Sequence, residues 1–209
     1  MPRRPLVNVR LAGYCGIAAF AVAFICILFA TNASPWFSWT ETWLSDLGGR
    51  DGEAVTLFGP FTAAHLFNNG VMLASLLGIG LVGGLWGFPG LDTPWGKRGL
   101  VLLVLDMVAL FGVGLFPISL GVRHDYAAVL FFVLIPASLL ALAKGLNDSG
   151  EDGHARTMGV LGAIALVTVP LIELLPQPWG NNALIETIPS LALGIASLVS
   201  GRWLLVLDD

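Results

Sequence analysis

The chain has 209 residues, of which 56% are hydrophobic and 11% charged, against roughly 45–50% and 25% in soluble domains, and its mean hydropathy is +0.83. That balance excludes an ordinary water-soluble core. A formal net charge of −4 with no basic run argues against nucleic acid as a partner.

A hydrocarbon layer of about 30 Å needs about 20 apolar helical residues, and six stretches approach that length: about 11–31, 58–87, 99–117, 126–143, 158–175 and 183–205. Short connections leave no room for a separate soluble unit, so residues 1–209 read as a single integral membrane domain. The expected fold is all-α, a polytopic membrane protein with a bundle of six transmembrane helices. The first stretch follows Arg3, Arg4 and Arg10 and exceeds the 7–15 apolar residues of a signal peptide. It reads as an uncleaved first helix. Cys15 and Cys26 lie eleven positions apart on it, roughly 16 Å at about 1.5 Å per residue, too far for a disulfide.

Orientation follows from the basic residues. With the N-terminus inside, Arg3, Arg4, Arg10, Lys97, Arg98, Lys144, Arg156 and Arg202 fall inside and only Arg50 and Arg123 outside, as the positive-inside rule requires. Tryptophan prefers the interface, and this topology puts Trp36, Trp39, Trp43 and Trp179 at the outer face and Trp86, Trp95 and Trp203 at the inner one. Both termini are therefore expected to be cytoplasmic, in the cell membrane.

After the first helix, the connection 32–57 carries Trp36, Trp39, Trp43, Ser45, Asp46, Gly48, Gly49 and Asp51. Such a Trp-rich segment is expected to rest on the membrane and bring Ser45 and Asp46 over the mouth of the bundle. On the second helix His65, Asn68 and Asn69, at i, i+3 and i+4, share one face, with Thr62 a turn nearer the outside. Polar groups inside a span usually face the bundle interior or a wet cavity. Hydrogen bonding between helices is the simpler account of this stripe. Gly78, Gly80, Gly83 and Gly84, with Gly112 and Gly114 on the third helix, predict close approach of helices two and three.

Asp106, near the middle of the third helix, is expected to be neutral or hydrogen-bonded, because charge is costly there. That helix ends at Gly114-Leu-Phe-Pro117, and Arg123-His124-Asp125 opens the fourth. There free backbone N–H groups can meet an anion or a carbonyl, though helix capping by Asp125 explains part of the pattern. The acidic segment 147–154 reads as a solvated cytoplasmic loop. Glu173 lies near the outer end of the fifth helix. On the sixth, Asn182, Glu186 and Ser190 stand at i, i+4 steps around Pro189, which frees a backbone carbonyl.

These segments carry a resemblance. Ser45-Asp-Leu-Gly48, Leu66-Phe-Asn-Asn-Gly70, Gly114-Leu-Phe-Pro117 followed by His124, and Ala183-Leu-Ile-Glu186 together resemble the bacterial and archaeal multi-pass family known as domain of unknown function 998. The resemblance spans nearly the whole chain and implies a six-helix membrane protein with signature residues at Ser45, Asp46, Asn68, His124 and Glu186. It implies no established activity. Family members often place a basic residue directly after the helix-six glutamate, where this chain has Thr187; any ion pair of Glu186 would then fall to Arg123.

The candidate polar pocket is thus Ser45, Asp46, His65, Asn68, Asn69, His124 and Glu186, all in the outer half of the expected bundle. It suits the head group of a membrane lipid or small amphiphile that the protein binds or moves. An intramembrane lipid hydrolase is the alternative, using His65 and His124 with Asp46 or Glu186 as acid and base. No cofactor is predicted, although His65, His124 and Glu186 could supply the three protein ligands of a catalytic metal. A structural or accessory subunit, packed against a membrane partner or a second copy of itself, is the third reading.

Overall fold

A computed structural model describes residues 6–49, 62–173 and 182–207. Among them there are six long helices and no strand: α1 (Val9–Asn32), α2 (Ala63–Leu85), α3 (Pro94–Leu115), α4 (Val122–Asp148), α5 (Asp152–Glu173) and α6 (Ala183–Leu207). The starts of three are written in their side chains. The Asn8 side chain accepts the Leu11 N–H at α1, Thr62 the His65 N–H at α2, and Thr93 the Gly96 N–H at α3, where Pro94 follows in the first turn. Each such cap satisfies one of the N–H groups that a helix start leaves over. Trp179, Arg50 and Asp51 lie outside the described residues.

Consecutive helices pack on one another, and α6 returns to α1, so the six form a closed ring in chain order. Five of them, α1, α2, α3, α4 and α6, are long and apolar enough to cross a membrane. The first turns of α5 carry Asp152, His154 and Arg156 before its apolar run begins at Met158. The acidic segment expected as a loop is mostly helical. α4 continues to Asp148, α5 starts at Asp152, and the turn between them uses Gly150 at φ 84°, a left-handed conformation that glycine adopts without a steric penalty. Side-chain bonds hold this turn: Lys144 pairs with Asp148 one helical turn away, and Ser149 Oγ donates to Gly90 O in the connection before α3.

The glycines divide their work differently from the expectation. Gly78 faces Met107 of α3, and Gly114 faces the Asn68 carbonyl of α2, as expected; Gly80 and Gly84 instead face Cys15 and Ala12 of α1, and Gly112 faces Ala127 of α4. At 3.6 residues per turn, glycines two apart point about 200° apart, so one glycine-rich helix approaches two neighbours. A close backbone seam also joins α1 to α6, where a Cβ on Gly201 would stand 2.6 Å from Gly13 O. Ser197 Oγ donates to Gly16 O, 2.9 Å away, along the same seam.

At the end of the bundle where α2 closes and α3 opens, Lys97 Nζ donates to Trp86 O at 2.6 Å and pairs with Asp92 at 3.4 Å. His154 stacks on Trp203 with centroids 3.6 Å apart, and Phe88 covers the other ring contact at 4.1 Å. Aromatic rings and cations gathered at one level are the pattern of a membrane interface. Cys15 and Cys26 are free thiols.

Candidate functional site

The site forms where the connection after α1 meets the opposite end of the ring. Leu44 and Leu47 are buried against Ile27 and Ala30 of α1, Phe67 and Val71 of α2, and Ala183 of α6. These two leucines pull the short 3-10 turn Ser45–Gly48 onto the bundle. Asn68 of α2 fixes its far end by donating from Nδ2 to Gly48 O at 2.8 Å. A side chain at position 48 has no room, because its Cβ would come within 2.7 Å of Asn68 Oδ1.

Glu186 fixes the near end. Its Oε2 accepts the N–H groups of Leu44 at 2.5 Å and Ser45 at 3.2 Å, and its Oε1 accepts the Ser45 hydroxyl at 3.3 Å. A 3-10 turn leaves its first N–H groups unpaired, and here a carboxylate from the other end of the sequence takes them. Bonds of this kind, to a charged acceptor, are about twice as strong as neutral ones. The Asp46 side chain accepts the Trp43 N–H at 3.0 Å within the turn. Among the described residues Glu186 has no cationic partner, and Arg123 is exposed.

His124, in the first turn of α4, is buried, and its Nδ1 lies 2.8 Å from Phe116 O. A carbonyl only accepts, so Nδ1 carries the hydrogen and the neutral ring offers a lone pair at Nε2. Asp125 beside it is exposed. Ser190 Oγ donates to the backbone carbonyl of Glu186 at 2.8 Å.

Ser45, His124, Glu186 and Ser190 share the lining of one cavity inside the ring. It holds about 110 Å³ of space for the centres of water molecules, against the roughly 10–15 Å³ that a single water requires. Along α6 its lining reaches from Glu186 to Ser200, 14 residues or about 21 Å at about 1.5 Å each. Below the polar end the walls are apolar, with Phe20 and Phe24 from α1 and Phe131 and Phe132 from α4.

The remaining candidates lie elsewhere. His65 and Asn68 are buried but do not line the cavity, and Nδ1 of His65 is 2.7 Å from Thr62 Oγ1. Asn69, expected on the same inner face, is exposed, because one further residue turns the side chain by about 100°. Among the described residues no three His, Cys, Asp or Glu side chains are grouped to hold a metal ion, so His65, His124 and Glu186 do not form a ligand set. Asp106 is fully buried in α3 outside the cavity, and neither carboxyl oxygen has a hydrogen-bond partner. Nothing can be placed for the side chain of Glu173. The aromatic lining residues carried no signal in the sequence, since an apolar residue in an apolar span looks the same facing lipid or cavity. Ser190 had one, its i+4 spacing from Glu186.

The fold and this internal site define a polytopic helical membrane protein with a cavity inside its ring. Residues 17–203 match the family model described as "Protein of unknown function (DUF998)", and the chain belongs to that family. No curated protein and no solved structure matches it.

Proposed function

We propose that this protein binds or moves a lipid or small single-chain amphiphile, held with its polar end at Ser45, His124 and Glu186 and its chain along the apolar walls. In this reading the whole chain is one membrane domain of six spans, α5 included, in the cell membrane with both termini cytoplasmic. The polar end then opens toward the outer leaflet. The supporting observation is the cavity itself, polar at one end and apolar below it over a length that is a large part of the roughly 30 Å hydrocarbon layer. Ligand pockets are typically of this kind, mostly apolar with a few placed polar groups.

Purification in mild detergent followed by native mass spectrometry tests the reading. The protein should carry an amphiphile that organic extraction removes, and re-addition should raise its melting temperature, as any ligand bound only by the folded state must. Ala128→Phe, which fills the cavity from α4, should purify folded without the bound molecule. A folded protein that carries no amphiphile, and whose melting temperature no added lipid moves, would overturn it.

A further inference from the structure

The hydrogens at the polar end of the cavity are already spent. The Ser45 hydroxyl donates to Glu186 Oε1, the Ser190 hydroxyl to the Glu186 backbone carbonyl, and His124 Nδ1–H to Phe116 O. Glu186 accepts from three donors, the N–H groups of Leu44 and Ser45 and the Ser45 hydroxyl. What these bonds leave over on the lining residues is a set of lone pairs, on Ser45 Oγ, Ser190 Oγ, the neutral tautomer's His124 Nε2 and the Glu186 side chain. Among the described residues no lysine or arginine lines the cavity. Farther in, Ser197 is likewise committed, to Gly16 O, and Ser200 lies at the opposite end.

A head group that can only accept hydrogen bonds would be desolvated here without a partner. An anionic head would in addition lose its hydration with no donor to replace it. We propose that the cavity selects an amphiphile whose head group donates hydrogen bonds and carries no negative charge, a long-chain alcohol or a long-chain amine, and rejects fatty-acid, phosphate and ester heads. This rests on the amphiphile reading above and specifies the chemistry of its ligand. The alcohol would donate to Ser190 Oγ, His124 Nε2 or Glu186, and the amine would do so through its N–H groups.

Four probes of one chain length separate these cases on the delipidated full chain: hexadecanol, hexadecylamine, palmitate and methyl palmitate, each read by native mass spectrometry and by the shift in melting temperature. Hexadecanol, hexadecylamine or both should bind at least about tenfold more tightly than palmitate and methyl palmitate, the factor one hydrogen bond to a charged acceptor supplies. The better of the two identifies a neutral or a cationic head. Glu186→Gln brings an N–H donor to the cavity, so it should narrow the gap between hexadecanol and methyl palmitate. Ser190→Ala, which leaves the turn untouched, should weaken hexadecanol and leave methyl palmitate unchanged. Palmitate or methyl palmitate binding as tightly as hexadecanol would overturn the head-group assignment while leaving the amphiphile reading standing, as would a folded Glu186→Gln protein with undiminished discrimination. Failure of all four to bind would overturn both.

Discussion

Glu186 acts on the fold through a residue segment more than a hundred positions away. Removing its carboxylate leaves the Leu44 and Ser45 N–H groups buried without an acceptor, each at about 1–3 kcal/mol. Glu186→Ala should therefore lower stability by about 2–4 kcal/mol, while Glu186→Gln, which keeps an acceptor oxygen, should lose about half as much or less. Thermal unfolding of both variants in the same detergent checks the ranking, and equal losses would show that the turn does not depend on these bonds. The sequence marked Glu186 as a polar group in an apolar span. It could not mark the partners, because two of the three are backbone N–H groups that every residue but proline possesses. Asn68 and Asn69 make the same point: they are identical in type, and only the rotation of α2 decides that one holds Gly48 and the other faces outward.

At the scale of elements, small residues set how closely the helices lie. The α1–α6 seam closes the ring, and a Cβ on Gly201 would meet Gly13 O at 2.6 Å and Ile17 N at 3.0 Å, both backbone atoms that cannot turn aside. Gly201→Ala should force the two helices apart and cost about 1–3 kcal/mol, the usual range for overpacking. Gly153→Ala is the control, since nothing lies within 4 Å of its added Cβ, and its helical position favours alanine. Comparison of the two melting temperatures decides the matter; equal values would mean that the seam is loose. That small residues would sit at helix contacts was legible in the chain. Which helix each one meets was not, because the phase of a helix about its axis is fixed by all of its neighbours at once.

For the molecule as a whole, the charge distribution carries a topological prediction. In the six-span topology with the N-terminus inside, eight of the ten lysines and arginines fall on the cytoplasmic side; tags at the N- and C-termini should then both be reached only from the cytoplasm, and a cysteine at position 123 should react with an impermeant thiol reagent from outside. Tags reached from opposite sides would show an odd number of spans and remove α5 from the count. The all-helical class and the candidate spans follow from composition and length alone, because a bilayer interior permits few alternatives to a helix that satisfies its own backbone. Glu186 stands out as a polar residue in an apolar stretch, Ser45 by its place in the Trp-rich connection and His124 by its place at a helix start. Closure of the ring, the descent of Leu44 and Leu47 that brings Ser45 to Glu186, and the apolar space below them belong to tertiary structure. They arise from the fit of surfaces between helices, and a surface that packs against lipid, against another helix or around a cavity is built from the same apolar residues.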